Sequence, residues 1–313
     1  MPGSKARKRP RIFISYASVN RNVAQLVDAS LDAAGFDTWF DRSDIHVGAL
    51  LGKELQQAVK ASKAVVLLWS RKASASRWVA TEVLTAFHLD RYIVPCVLSG
   101  TELPQFLSRS VYLNLRIGRG DALASLGEQV KRASRSRNEF PAISSYQSEE
   151  LQKTARQIAG QQAAALDLIS DSNGLSKARR MHAKLGAKMR AAEKRWPYDP
   201  LILNLAGYHH KNSYMLKHWE EYAAGRFPRD PELQEGERRF FETLFVNPID
   251  YSALNGLGNM LLFQGELLAA EFFVERAVLC AAKDGVVYQE AIHDLEMIRR
   301  RTRTPSARPG PHH

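Results

Sequence analysis

The chain has 313 residues, of which 45% are hydrophobic and 25% are charged, and only two of them are cysteines. This length suggests two domains, each large enough to bury its own core. No apolar run exceeds six residues, as in Ala64 to Trp69, whereas a membrane-spanning helix needs roughly 20. The basic N-terminus also lacks the apolar stretch of a secretory signal. We therefore expect a cytoplasmic protein that makes no use of the membrane.

The net charge of +11 is concentrated at the two ends of the chain. Residues 1–11 carry five basic side chains and no acidic one, and the same holds for residues 299–313. We therefore predict basic disordered tails at 1–10 and 299–313 around a nearly neutral body. Flexible basic arms attract nucleic acid weakly and in a salt-sensitive way. Solubilising tails are the favoured interpretation, and a nucleic-acid partner remains the weaker alternative.

The two cysteines and the histidines offer little support for a disulfide framework or a metal site. Cys96 and Cys280 lie far apart in sequence, which argues against both a disulfide and a cysteine-based metal centre. His209, His210 and His218 lie in a region of helical pattern without cysteine or regularly spaced acidic partners, so core or solvated histidines are the simpler interpretation. We predict that the protein holds no metal.

Strand and helix patterns alternate over residues 11–135. An apolar strand core at Ile12–Ile14 precedes an amphipathic helical pattern that ends at Gly35. The elements that follow are a strand at Phe36–Phe40, a loop containing Gly48, a helix through Leu55 and Val59, a strand at Ala64–Trp69, a helix at Ser76–Leu89, strands at Tyr92–Leu98 and Val111–Leu113, and a helix from Asp121. Five strands with helical crossovers predict a doubly wound α/β domain with a parallel sheet. Ligands of such sheets bind beyond the carboxyl ends of the strands.

The second half of the chain is helical in pattern. A polar stretch at 136–150 suits a linker, and residues 151–298 show no strand signal. Between Tyr251 and Asp284, small residues at Gly258 and Ala270 let two helices approach closely, and large residues such as Phe273 fill the space between them. This stretch resembles a tetratricopeptide repeat, with weaker copies around Leu205–Tyr208 and Phe240–Pro248. Such repeats stack in sets of about three. A plain helical bundle is the alternative.

Several polar residues are predicted to meet at one rim of the sheet, where the strands end. Tyr16 follows the first strand, Asp41 follows the second, and Ser70 follows the third. Ser76, Trp78 and Glu82 open the next helix, and Trp78 and Glu82 share one helical face because they are four residues apart. Gly48, Gly52 and Lys53 do not form a phosphate loop, because their spacing is wrong and Glu54 stands where a hydroxyl residue is needed.

This order of segments resembles a Toll/interleukin receptor (TIR) domain over about residues 10–135. The shared features are F-I-S-Y in the first strand, W-F-D in the second, and S-x-W-x-x-x-E at the helix start. The resemblance implies a flavodoxin-like, five-stranded parallel sheet. The last motif is shared with TIR domains that hydrolyse NAD⁺, which implies that Glu82 is the catalytic carboxylate. It places the following residues around the substrate: Tyr16, Ala17, Asp41, His46, Gly48, Leu50, Ser70, Ser76 and Trp78.

The resemblance also implies an activity and a setting. NAD⁺ is the substrate, no cofactor is needed, and the products are nicotinamide with ADP-ribose or a cyclic ADP-ribose. Self-association of TIR domains is expected to complete the site, and the helical domain is expected to regulate it and to bind a protein or peptide. Prokaryotic antiviral defence or signalling is the implied role. The alternatives are a non-catalytic TIR adaptor and, more weakly, a nuclease drawn to nucleic acid by the basic tails.

Overall fold

The computed structural model describes residues 9–40, 51–116, 119–133, 135, 148–170 and 174–303. The chain divides into two compact units, Met1–Ala142 and Ile143–His313, and the division falls inside the stretch that we expect to be a linker. Each unit is described by itself below. Among the described helices, none combines the length and the apolar character that crossing a membrane requires.

The first unit contains one parallel five-stranded sheet in the order β2-β1-β3-β4-β5. Its strands are β1 (Arg11–Ser15), β2 (Asp37–Trp39), β3 (Ala64–Trp69), β4 (Tyr92–Val97) and β5 (Leu113–Asn114). Every neighbouring pair is parallel. The predicted doubly wound α/β fold is therefore confirmed. The central strand β3 is buried along its whole length, which explains why its sequence is an unbroken apolar run.

Within the described residues of this unit, five α-helices accompany the sheet. They are α1 (Arg21–Ala33), α2 (Leu51–Ala61), α3 (Arg71–Ser74), α4 (Arg77–His88) and α5 (Arg119–Ala133). Helix α1 buries Ala24, Val27 and Leu31 on one face, as an amphipathic pattern predicts. Gly35 ends this segment with a φ of +88°, a left-handed conformation that glycine adopts without steric cost.

The edge strands differ from their predicted bounds. The predicted strand at Val111–Leu113 is wrong by two residues, because pairing with β4 begins only where Leu113 meets Cys96. Val111 and Tyr112 are instead exposed, at 88% and 51% of their surface. Strand β2 is also two residues shorter than predicted. Both strands lie at sheet edges, where pairing on one side alone leaves the strand ends weakly determined by sequence.

The described part of the second unit is entirely helical, which confirms the all-α prediction. Its helices are α6 (Glu149–Asp167), α7 (Gly174–Arg195), α8 (Pro200–Lys217), α9 (Trp219–Ala223), α10 (Pro231–Val246), α11 (Tyr251–Phe263), α12 (Leu267–Lys283) and α13 (Gln289–Arg303). Helices α6, α7 and α8 share a core that contains Ile158, Met189 and Ile202. The structure describes short connections between most of the later helices. A proline occupies the first position of α8 and of α10, where its fixed φ favours the start of a helix.

Glycines let the helices of this unit approach closely. The ring of Phe240 on α10 lies against Gly207 of α8 and Gly256 of α11, and a Cβ atom at Gly256 would stand 2.3 Å from the Phe240 ring. A Cβ atom at Gly258 would stand 2.3 Å from Val274 on α12. Gly258 therefore has the close-packing role that the sequence predicts for it.

The ends of the described chain are more ordered than we expect from the sequence. Helix α13 continues to Arg303, so the predicted tail boundary at 299 is wrong. Arg299 pairs with Glu271 at 2.8 Å and with Glu275 at 3.0 Å, and Arg9 forms an ion pair with Asp32 at 2.9 Å. The acidic partners are distant in sequence from the arginines. A count of charges within the tails therefore does not predict these ion pairs.

Both cysteines are buried free thiols. Burial in the sheet raises the pKa of Cys96 to about 12, because the thiolate cannot be solvated there. Burial also raises the pKa of Cys280. Each thiol packs as a small apolar side chain.

Candidate active site

Glu82 owes its position to the way helix α4 begins. Ser76 is the N-terminal cap, and its hydroxyl oxygen accepts a hydrogen bond from the Val79 backbone N–H at 3.4 Å. Glu82 comes six residues after this cap, too deep in the helix to serve as a capping partner. From Val79 to Ala86 every residue of α4 is buried, so this segment of the helix lies within the protein rather than on its surface.

The Glu82 carboxylate lies against the carboxyl end of β1. Ser15, the last residue of that strand, donates a hydrogen bond from its hydroxyl to Oε2 of Glu82 at 2.6 Å. Ser15 has no exposed surface and Glu82 is only 2% exposed. A glutamate in that environment is not a solvated surface residue. The structure thus brings together a carboxylate and the end of an inner strand, where ligands of doubly wound sheets bind.

Ser70 connects two strand ends at the same rim. Its hydroxyl donates to Oδ1 of Asn20 at 2.8 Å and accepts from the Ala73 backbone N–H at 3.1 Å, which caps the short helix α3. Asn20 follows β1, whereas Ser70 follows β3. The Ser70 hydroxyl therefore ties together the segments that leave two neighbouring strands.

Aromatic side chains support the β1 and β2 ends. The rings of Phe13 and Trp39 stack with centroids 4.8 Å apart, and Tyr16 packs near Phe40 at 6.4 Å. Tyr16 and Ala17 are both buried, at 5% and 7% exposed. These contacts pack the end of β1 against the end of β2. Tyr16 and Ala17, which we expect to line the site, follow directly after this packed strand end.

Trp78 lies at the opening of helix α4 and is half-buried. The Arg77 guanidinium carbon stands 5.3 Å from the centroid of the Trp78 ring, within the range of a cation–π contact. A positive charge and an aromatic plane therefore occur together, one helical turn before Glu82. Asp41, His46, Gly48 and Leu50, the remaining residues that we predict for the site, lie outside the described residues.

The histidines that we consider as metal ligands lie in the second unit with other partners. The His209 ring stacks on His182 with centroids 4.2 Å apart, His210 pairs with Glu232 at 2.5 Å, and His218 pairs with Asp230 at 2.9 Å. Within the ranges that the structure describes, no group of three or more His, Cys, Asp or Glu side chains is placed to hold a metal ion.

Two residues of this rim, Ser15 and Asn20, are absent from the predicted set. The F-I-S-Y motif contains Ser15, but the sequence alone does not reveal that its partner lies 67 residues later. A hydroxyl residue directly after the apolar strand core Ile12–Ile14 is the one signal that points to it. Such a residue is buried only when a polar partner satisfies it.

The fold and the rim define a doubly wound α/β domain with a buried carboxylate at the ends of its inner strands. In a comparison with known families, residues 12–130 match the family model described as TIR domain. The chain therefore contains a TIR domain at residues 12–130, followed by a helical region. No curated protein matches the chain.

Proposed function

We propose that this protein is an NAD⁺ glycohydrolase that cleaves the bond between nicotinamide and ribose, with Glu82 as its catalytic carboxylate. The observation that carries the proposal is the position of Glu82, which is buried at the sheet rim and held by Ser15 at 2.6 Å. TIR domains include members with this activity as well as adaptors. The carboxylate at the rim is what favours the enzyme here.

The chemistry explains how one carboxylate can suffice. Ordinary glycosidases need a second carboxyl group to protonate a poor leaving group. In NAD⁺ the pyridinium nitrogen already bears the positive charge, so the electron pair of the breaking C–N bond neutralises it and nicotinamide departs neutral. Positive charge then develops on the ribose, where Glu82 stabilises it. Water adds at C1′ and releases a proton to give ADP-ribose, or a ring nitrogen of the adenine attacks to give a cyclic product.

The surrounding residues have supporting roles in this proposal. Trp78 supplies an aromatic plane beside the substrate, and Tyr16 with Ala17 forms the wall next to the β1 end. Ser70 and Ser76 hold the backbone of the rim through the hydrogen bonds described above. For Asp41, His46, Gly48 and Leu50 we propose contacts with substrate or with a neighbouring TIR domain, as the resemblance to TIR domains implies. No cofactor takes part, since NAD⁺ is itself consumed.

We assign control of the activity to self-association and to the helical unit. TIR domains commonly bind one another, and a shared site would make turnover depend on protein concentration. Close glycine-mediated packing of α8, α10, α11 and α12 supports a short stack of tetratricopeptide-like helix pairs, which would bind a protein or peptide. We assign the protein a cytoplasmic role in prokaryotic defence or signalling. The basic residues at the chain ends would add weak binding of nucleic acid.

Substitution of Glu82 tests the proposed activity. Glu82→Gln removes the negative charge and keeps the shape, so nicotinamide release should fall by about 10²- to 10³-fold, the cost of losing one preorganised electrostatic contact. Chromatography of NAD⁺ incubated with each protein measures the rate and separates ADP-ribose from a cyclic product. Glu128→Gln is the matched control, because it makes the same change at an exposed carboxylate on α5.

The alternative function is a TIR adaptor without catalysis, and the burial of Glu82 is the observation that favours it. At 2% exposed, the carboxylate could serve only to fasten α4 to β1 through Ser15. An adaptor releases no nicotinamide at any protein concentration, and Glu82→Gln would then lower the stability of the domain without any change in turnover. Equal nicotinamide release by wild type and Glu82→Gln would therefore end the enzyme proposal.

A further inference from the structure

We propose that Ser15 is a positioning residue for the reaction, which holds the Glu82 carboxylate in its working orientation from the end of β1. This inference rests on the proposed function. Ser15 does not need to touch NAD⁺ in this role, because it acts through the carboxylate that does.

The geometry of the pair supports this role. The distance of 2.6 Å between Ser15 Oγ and Glu82 Oε2 lies in the range of a hydrogen bond from a hydroxyl to a charged carboxylate. Both residues are buried, so water does not compete for the contact. The hydroxyl occupies one acceptor position of Oε2, which restrains the orientation of the carboxylate that a developing ribose cation would face.

Ser15 is also placed on a rigid element. Strand β1 pairs with β2 on one side and with β3 on the other, and Ser15 itself lies opposite Leu67 of β3. Glu82, by contrast, has a side chain with three rotatable bonds. Reactive groups retain their geometry when neighbouring side chains on helices and strands lock them in place, and the hydroxyl of Ser15 supplies such a lock.

Ser62 offers a matched control, just before strand β3. Its hydroxyl is also buried, at 1% exposed, and donates to the Ala58 carbonyl at 2.8 Å. It precedes β3 and so lies at the amino end of the strand, away from the rim that contains Glu82. Ser62→Ala removes a buried hydroxyl hydrogen bond without touching the Ser15–Glu82 pair.

The experiment measures kcat and KM for NAD⁺ together with thermal unfolding in the full-length chain. For Ser15→Ala we expect kcat to fall about 10- to 100-fold, the loss expected for one hydrogen bond to a charged group. KM should change less than about twofold, because an interaction that matters only in the transition state lowers kcat alone. Ser15→Thr should restore most of kcat because it keeps the hydroxyl. Ser62→Ala should retain wild-type kcat.

Ser15→Cys covers the case in which Ser15→Ala does not fold. It nearly preserves volume but is a much weaker donor, so its kcat should lie between those of Ser15→Ala and wild type. The inference is overturned if folded Ser15→Ala or Ser15→Cys retains wild-type kcat, if Ser62→Ala loses as much, or if Ser15→Thr recovers nothing. Each of these results requires an active wild type and therefore leaves the proposed function standing. A wild type that releases no nicotinamide refutes the proposed function and, with it, this inference.

Discussion

The stacked rings of His182 and His209 show how burial changes a side chain's chemistry. The pKa of His209 is lowered to about 4, mainly by burial, with smaller contributions in the same direction from His182, His210 and Arg190 and an opposing one from Glu232. Burial also lowers the pKa of His182, whose ring nitrogen Nε2 lies 3.1 Å from the His209 carbonyl oxygen. Two imidazoles 4.2 Å apart cannot both be charged without strong repulsion. The folded protein therefore keeps this pair neutral.

The pair makes stability depend on pH. The pKa of His209 in the folded protein lies below the value of about 6.5 in an unfolded chain, so the unfolded chain binds more protons at acidic pH. Stability should be complete above about pH 6.5 and fall as the pH drops towards about 4. Urea unfolding followed by circular dichroism at pH 7.5, 6 and 5 measures the effect, and His209→Gln should weaken the dependence on pH.

The control for this experiment is His293→Gln on α13, where the side chain is exposed. It removes one imidazole without changing the stacked pair and should leave the wild-type dependence on pH intact. If His209→Gln unfolds with the same pH dependence as wild type, the neutral pair is not the source of the effect.

The roles of single residues are predictable from the sequence where they depend on local spacing. Ser76 caps α4 and Glu82 lies too deep to be a capping partner, as the spacing predicts. The partner of Glu82 was missed because contacts between Ser15 and a residue on a later helix depend on the assembled sheet. The stacking of His182 on His209 was missed for the same reason, since 27 residues separate them.

Helix packing in the second unit depends on glycines around one aromatic ring. Phe240 fills the space that Gly207 and Gly256 leave open, and Tyr208 meets its edge at 5.2 Å. Gly256→Ala would place a methyl group 2.3 Å from that ring. We expect the free energy of unfolding to fall by about 1–3 kcal/mol, the usual cost of overpacking a core, and denaturant titration measures it.

Gly160→Ala provides the opposite control on helix α6. Gly160 is exposed in the helix interior and a Cβ atom there would meet no other atom within 4 Å. Alanine should therefore stabilise the protein by up to about 1 kcal/mol, because it favours the helix and restricts the unfolded chain. A similar loss of stability in both variants would show that the ring of Phe240 is not responsible.

At the scale of elements, the inner strands were predictable and the edge strands less so. A strand buried on both faces is an unbroken apolar run, which is why β3 was predicted with its observed bounds. Strand β5 has only two residues and one neighbour, so its limits depend on pairing with β4 rather than on its own composition. Helix α13 likewise passed the predicted boundary because Glu271 and Glu275 neutralise Arg299.

The whole molecule consists of two units, each with its own core. If the helical unit regulates the TIR domain, deletion of residues 143–313 should change either the rate of NAD⁺ cleavage or the size of the assembly. Turnover assays and light scattering on the full chain and on residues 1–142 measure the two quantities, after circular dichroism has shown that the shorter chain folds. Unchanged rate and unchanged size would contradict a regulatory role.

From the change of pattern around residues 136–150, where strand-and-helix alternation gives way to helices alone, the sequence predicts two domains, whose bounds stay a prediction. It did not predict how far the charges at the ends would be neutralised. Arg9, Arg11 and Arg299 all have acidic partners, so fewer positive side chains are available to attract nucleic acid than a count along the chain indicates.

The two buried thiols have a practical consequence for fluorescence work. Maleimide reagents react with thiolates, and the raised pKa values of Cys96 and Cys280 leave very little thiolate at neutral pH. A single new cysteine at an exposed position should therefore take up a dye selectively while both native cysteines stay in place. Energy transfer between dyes on separate copies could then follow their assembly in real time.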